Sequence, residues 1–262
     1  MKKIVSVILV VMLLSSCGSS KQTAKRIPVP KVEIVKPKDK AILKEVTKLK
    51  RKSSRLDIRT IAYVSKYAPI AIHEMKKSKI PASITLAQGI LESGNGVSQL
   101  ALKSNNHFGV KCHKGWKGDY VKHDDDEKQE CFRKYKEVET SYKDHSEFLK
   151  TRSRYDFLFK LKKDDYKAWA KGLKKAGYAT DKRYPAKLIR LIETYKLYNY
   201  DKIALKKKIK EDSKDKIKTH KIRKGDTLYS ISKKHKLSVD ELKSLNNLNS
   251  NTISIGEYLR VE

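Results

Sequence analysis

The chain has 262 residues, with 61 Lys and Arg against 30 Asp and Glu, a net charge of +31 and 39% hydrophobic residues. That length and apolar content allow more than one domain with its own core. A mean hydropathy of −0.66, with no apolar run near the ~20 residues needed to span a bilayer, excludes a polytopic membrane protein. Charge this positive would suit a cytosolic nucleic-acid binder, but the N-terminus argues for export.

Lys2 and Lys3 precede an apolar run from Ile4 to Leu14, followed by Ser15, Ser16 and Cys17. The run is too short to anchor stably but fits the apolar region of a removable signal peptide. Leu14-Ser15-Ser16-Cys17 resembles a bacterial lipobox, which implies cleavage after residue 16 and lipidation of Cys17. The expectation is an exported, membrane-anchored lipoprotein. No acidic run follows Cys17, which favours a periplasmic face. Basic side chains beyond it suit anionic head groups, and with the chain exported no nucleic-acid partner is expected.

Two cysteines remain, Cys112 and Cys131. In an oxidising compartment such a pair reads as a disulfide. A zinc site with His107 and His113 is the competing idea, but the spacing matches no familiar zinc pattern.

Residues 17–53 are Lys-rich, with Pro28, Pro30 and Pro37, and read as a basic tether. Residues 54–202 carry apolar residues at helical spacing and form the main domain. Residues 203–217 are almost all charge and read as a linker, leaving a compact unit over 218–262. In the main domain Ile58, Ile61, Ala62 and Ser65 share a helical face, and Pro69 suits the first turn of a second helix, which Lys79-Ile80-Pro81 ends. The next helix starts at Pro81 and carries Ile84, Ala87, Gln88 and Leu91; Ser93-Gly94-Asn95-Gly96 stops it, leaving Glu92 in its last turn. Tyr120-Val121 and Cys131-Phe132 flank a polar centre as in a β-hairpin, with its turn at Asp124-Asp125-Asp126. Helices resume near Ser141, a candidate cap, then over Tyr166–Leu173 and Pro185–Tyr195.

A carboxylate at a helix C-terminus is disfavoured as an anion by the helix dipole, and apolar surroundings raise its pKa further, so Glu92 is a candidate proton donor. Asp124, Asp125 and Asp126 offer a second carboxylate, as most glycosidase mechanisms need. A solvated turn or a weak cation site with His123 is the other reading of that run.

With these residues in hand, the segment Pro81 to Gly96, Pro-Ala-Ser-Ile-Thr-Leu-Ala-Gln-Gly-Ile-Leu-Glu-Ser-Gly-Asn-Gly, resembles the catalytic-helix signature of peptidoglycan-hydrolysing endo-β-N-acetylglucosaminidases, glycoside hydrolase family 73. Further blocks follow in order: Asn105 to Lys111, Cys131 to Tyr135, Ser141 to His145, Arg154-Tyr155, and Ala176 to Asp181. The resemblance implies a mainly helical, lysozyme-like α+β domain with a small β-hairpin lobe and a glycan-binding cleft. It implies Glu92 as general acid, Tyr178 beside the scissile sugar, and substrate contacts from Asn106, Phe108, Asp125 and Asp126. The family's Thr-x-Glu hairpin pattern is replaced by His123-Asp-Asp-Asp126, and Asp124 is the expected second carboxylate, with Asp125 and Asp126 as substitutes.

The terminal unit, from His220 to Val261, resembles a LysM repeat. That implies a small βααβ domain, Asp226 capping its first helix, and a shallow groove for N-acetylglucosamine units formed by Gly225, Asp226, Thr227 and Ile253. The expected function is therefore cleavage of the β-1,4 bond after N-acetylglucosamine in peptidoglycan, with the repeat holding the enzyme on its substrate and no cofactor or metal. The alternatives are a lytic transglycosylase or muramidase cutting the other glycan bond, and a catalytically silent wall-binding module. Nothing in the chain speaks to oligomeric state.

Overall fold

The computed structural model of the chain describes residues 27–209, 218–246 and 248–261. The expected signal peptide, Cys17 and most of the second linker lie outside them. No helix among the described residues is long and apolar enough to cross a membrane.

The main domain is built on α2 (Ile58–Ser78), whose buried Ile61, Val64, Ala68, Ala71, Ile72 and Met75 touch helices on several sides. Pro69 lies inside this helix and does not start a new one. The break comes ten residues later, where Lys79 takes a left-handed conformation with φ 71°. Next comes α3 (Ala82–Ser93), buried on every side from Ala82 to Ile90, as befits the central helix of a bundle. A buried carboxylate from another helix holds its N-terminus, because α8 (Tyr198–Ala204) presents Asp201 to the backbone N–H and hydroxyl of Ser83 at 2.8 and 2.6 Å.

Further helices of this domain are α4 (Gln99–Ser104), α5 (Val138–Lys150), α6 (Tyr166–Lys175) and α7 (Tyr184–Thr194). Ser141 sits inside α5, its hydroxyl donating to Val138 O at 2.8 Å; the capping position belongs to Glu137. Between α4 and α5 a lobe projects from the bundle. There β1 (Tyr120–His123) pairs antiparallel with β2 (Glu130–Arg133) in the register Val121 to Phe132 and Lys122 to Cys131. Lys111 adds an isolated bridge to Phe132, and the expected Cys112–Cys131 disulfide is formed, with Cα atoms 5.4 Å apart.

The expected tether needs correcting. Residues 40–51 form a helix, α1 (Lys40–Arg51), capped by Asp39, whose carboxylate accepts from Ala41 N and Ile42 N. Ile42, Val46 and Leu49 bury on the main core, and Asn199 Nδ2 donates to the buried Glu45 at 2.7 Å. Even before this helix the chain is docked: Ile27 and Gln99 exchange two hydrogen bonds of 3.0 Å, and Ser65 bonds the carbonyl of Val35. At the other boundary α8 runs to Ala204, past the expected start of the linker.

The C-terminal unit is β3 (Thr219–Lys221), α9 (Leu228–Lys234), α10 (Val239–Asn246) and β4 (Tyr258–Arg260), with β3 antiparallel to β4. Ile222, Leu228, Ile231, Leu242, Leu259 and Val261 make its separate small core.

Candidate active site

A cleft of about 620 Å³ runs between the helical bundle and the hairpin lobe. Glu92 enters it from the last turn of α3, and the turn behind it is firmly held. Gly94 takes φ 57° to end the helix, Gly96 N donates to Ser93 Oγ at 2.7 Å, and Thr60 Oγ1 donates to Asn95 at 2.9 Å. This turn needs a left-handed residue directly after the helix, a conformation that glycine adopts without a side-chain penalty.

Glu92 is exposed to solvent through the cleft mouth, but protein atoms crowd its carboxyl and strip part of its hydration. Burial lifts its carboxyl above the ordinary glutamate value; a hydrogen bond from Tyr184 opposes the lift, the anionic Asp125 adds to it, and Lys187 lowers it again. The net result is a carboxyl that keeps its proton at higher pH than a free glutamate does. Tyr184, at the start of α7, donates from its hydroxyl to Glu92 Oε1 at 3.0 Å. The Tyr184 hydroxyl oxygen in turn accepts from Gln88 Nε2 at 3.1 Å, so one turn of α3 positions the phenol that orients Glu92.

Tyr178 also lines the cleft, with its ring 5.8 Å from that of Tyr184. Burial holds its hydroxyl in the neutral form, reinforced by the negative charge of Glu92. Phe108 forms part of the opposite wall, stacked on His145 at 4.1 Å. His145 is buried, and burial depresses its pKa to about 3. It is a neutral wall of the cleft at any ordinary pH.

At the hairpin tip the structure separates the three aspartates. Asp124 does not line the cleft. Its Oδ1 accepts from Gln129 N at 2.8 Å and from Gln129 Nε2 at 3.0 Å, closing the turn and holding its carboxyl below the usual range. Asp125 and Asp126 do line it, and Asp125 is the one whose charge is felt at Glu92. The expectation that Asp124 faces the acid is therefore corrected in favour of its neighbour. Adjacent turn residues point different ways, and the Gln129 bonds decide which.

Asn106 also departs from expectation. It is buried, its Nδ2 donates to Val110 O and Arg133 O at 3.0 Å each, and its Oδ1 accepts from Val110 N at 3.0 Å. Both polar atoms of its side chain are used to hold the backbone of the lobe, so it shapes the cleft from behind.

In the C-terminal unit, α9 is capped by Thr227, which forms a reciprocal capping box with Ser230. Asp226 is not the cap; its Oδ2 accepts from Arg223 N at 2.8 Å and contacts His220 Nε2 at 2.9 Å. Gly225 takes φ 92° at the turn before it, and Ile253 packs against the small core, leaving it only partly open to a ligand.

Sequence reasoning missed Tyr184. Its partner is 92 positions away, and its only signal was that a tyrosine starts a helix just after the Ala176 to Asp181 block.

Residues 68–197 match the glucosaminidase family, described as mannosyl-glycoprotein endo-beta-N-acetylglucosaminidase, and residues 220–262 match the LysM domain. The chain is 38% identical over 139 residues to the exo-glucosaminidase LytG of Bacillus subtilis, covering 49% of each chain. It is 31% identical over 141 residues to the peptidoglycan hydrolase FlgJ of Vibrio parahaemolyticus, covering 50% of this chain and 46% of that one. The chain thus spans about half the length of the curated relatives it matches. Among solved structures, a peptidoglycan hydrolase of Sphingomonas sp. A1 is 27% identical, with 58% of this chain and 99% of that chain covered and a TM-score of 0.47.

Proposed function

We propose that this chain is a peptidoglycan hydrolase, a reading supported by the match of residues 68–197 to the glucosaminidase family and of residues 220–262 to the LysM domain. It cuts the β-1,4 bond between N-acetylglucosamine and N-acetylmuramic acid, and its LysM domain holds it on the wall. The observation that carries the reading is Glu92: a cleft carboxyl with a raised pKa, oriented by Tyr184 and facing a lobe that presents Asp125.

In this mechanism the protonated Glu92 gives its proton to the glycosidic oxygen as the bond to the anomeric carbon breaks, the bonding pair leaving with the muramic acid sugar. Asp125 supports the positive charge that builds on the ring. It then takes a proton from the attacking water, or orients the sugar's own acetamido oxygen if that group attacks first. Tyr178 and Phe108 supply apolar and aromatic walls for the sugar, and His145 contributes a neutral surface behind Phe108. Two modest affinities in one chain raise the residence time on a polymer without new catalytic contacts.

We further propose that Cys17 carries the lipid and that the enzyme works on the periplasmic side, a reading supported by the Lys2-Lys3, apolar and Ser15-Ser16-Cys17 series. Membrane fractionation of Cys17→Ser checks it, with release of the protein expected.

The function is tested by digesting purified peptidoglycan with the wild-type chain and with Glu92→Gln, then reducing the products with borohydride and weighing them. Reduced N-acetylglucosamine ends from the wild type alone are expected. Anhydromuramyl ends would mean a transglycosylase, and no cleavage by a folded, wall-binding protein would mean a silent module.

A further inference from the structure

Lys111 belongs to the stretch that enters the hairpin lobe, and its side chain reaches back along the cleft. Its Nζ lies 2.7 Å from Glu130 Oε1, 3.3 Å from Asp126 Oδ2 and 3.5 Å from Asp125 Oδ2. These three carboxylates lie within 4.8 Å of one another, close enough that without a counter-charge they would push each other apart or share protons. The ammonium stands where a cation would otherwise have to sit.

The base of this arrangement is rigid. Lys111 pairs through its backbone with Phe132, which is almost fully buried, and its Nζ lies 5.7 Å from that ring. The next residue, Cys112, is bonded to Cys131, itself the neighbour of Glu130; Cys112 N also donates to Cys131 O at 2.8 Å. A covalent link therefore fixes the spacing between the lysine and its shortest partner. From there the ammonium reaches to Asp125 and Asp126, on a turn that is otherwise exposed.

We propose that Lys111 is a positioning residue for the reaction: by gripping Glu130 together with the two tip carboxylates, it sets the place and charge of Asp125 across the cleft from Glu92. This rests on the hydrolase reading above. Lys111 touches no reacting atom; it acts through Asp125. The Coulomb energy of a partly exposed pair is small, so the device contributes chiefly geometry and charge. The charged or titratable groups around Lys111 are Asp125, Asp126 and Glu130; those around Glu92 are Tyr184, Asp125, Lys187 and Tyr178.

The test compares the full-length wild type with Lys111→Met, Lys111→Arg and Glu130→Gln on soluble glycan strands, with kcat, KM and the pH profile of kcat read for each, and a thermal melt as control. Lys111→Met should lower kcat by roughly tenfold or more with KM changed little, and should move the acidic limb of the profile to higher pH, because the cluster has lost its counter-charge. Lys111→Arg should restore most of kcat. Glu130→Gln should move the acidic limb the other way, since it frees the ammonium for the tip carboxylates; this arm stands if Lys111→Met does not fold. Wild-type kcat and an unmoved profile in Lys111→Met would overturn the proposal, as would a loss of kcat with the profile unmoved, which is what mere support of the hairpin would give. The hydrolase reading fails separately, when the wild type cleaves no better than Glu92→Gln, and the inference falls with it.

Discussion

Tyr184 and Glu92 are joined by a hydrogen bond of 3.0 Å in which the phenol donates and the carboxylate accepts. That direction matters, because a donor favours the anion and so opposes the burial that raises the Glu92 pKa. Replacing Tyr184 by Phe removes the opposition. The basic limb of the kcat–pH profile should then move to higher pH. It also strands Gln88 Nε2, which donates to the Tyr184 hydroxyl, at a cost of about 1–3 kcal/mol in stability. Initial rates from pH 5 to 9 and a urea melt check both effects; a basic limb at unchanged pH would count against Glu92 as the proton donor.

Glu92→Gln keeps the shape of the side chain and removes the proton. For a general acid the expected loss in kcat is roughly 100- to 10,000-fold, with the melt little changed because Tyr184 still has an oxygen to bond. Turnover on glycan strands is the measurement.

Behind the acid, α3 has no room to spare at Gly89. A Cβ built there would lie 2.3 Å from the Tyr63 hydroxyl, which is itself bonded to Tyr142 at 2.7 Å and to His107 Nδ1 at 3.0 Å. Tyr63 cannot move aside without breaking a buried polar network. Gly89→Ala should therefore destabilise by about 1–3 kcal/mol, the usual range for overpacking, even though alanine is the better helix former. Denaturant unfolding gives the sign.

Asp201 supplies a pH dependence. Burial raises its pKa to about 7, with the hydrogen bonds from Ser83 pulling the other way. An acid whose folded pKa lies above its unfolded value of about 3.9 binds its proton more tightly when folded. Its contribution to stability is complete below the unfolded pKa and is lost as pH rises through about 7. Relative to Asp201→Asn, which does not titrate, the wild type should lose stability between pH 5 and pH 8. Parallel urea titrations at the two values test it, and curves for the two proteins that stay parallel would refute it.

The Cys112–Cys131 link closes a loop of 19 positions, worth roughly 3 kcal/mol on the chain-entropy estimate. It also spaces Lys111 from Glu130. The double Cys→Ala variant should melt lower and lose activity well below its melting point, as the lobe loosens before the bundle does; activity and circular dichroism followed against temperature would separate the two.

Much of this site can be read in the chain. Glu92 at a helix end follows from Ser93-Gly94-Asn95-Gly96, and the hairpin follows from alternating residues around a run of aspartates. What cannot be read is which aspartate faces the acid, because that depends on Gln129 folding back on Asp124, nor that Tyr184 reaches Glu92, because that depends on how α7 packs on α3. α1 is a different case: Ile42, Val46 and Leu49 have helical spacing behind an Asp39 cap, a signal outweighed in the sequence by the surrounding lysines. Pro69 misleads for the opposite reason, since a strong local breaker is carried through by the buried residues on both sides of it.

The twin hydrogen bonds between Ile27 and Gln99 limit where the proposed hydrolase can work. Ten positions separate Ile27 from Cys17, and ten residues drawn out straight cover at most about 35 Å. That is comparable with the diameter of a domain of this size. A chain free as far as Ser53 would have reached roughly 125 Å. With the proposed lipid on Cys17, the cleft is kept on a short leash, close above the bilayer, and the strands within its range are those nearest the membrane.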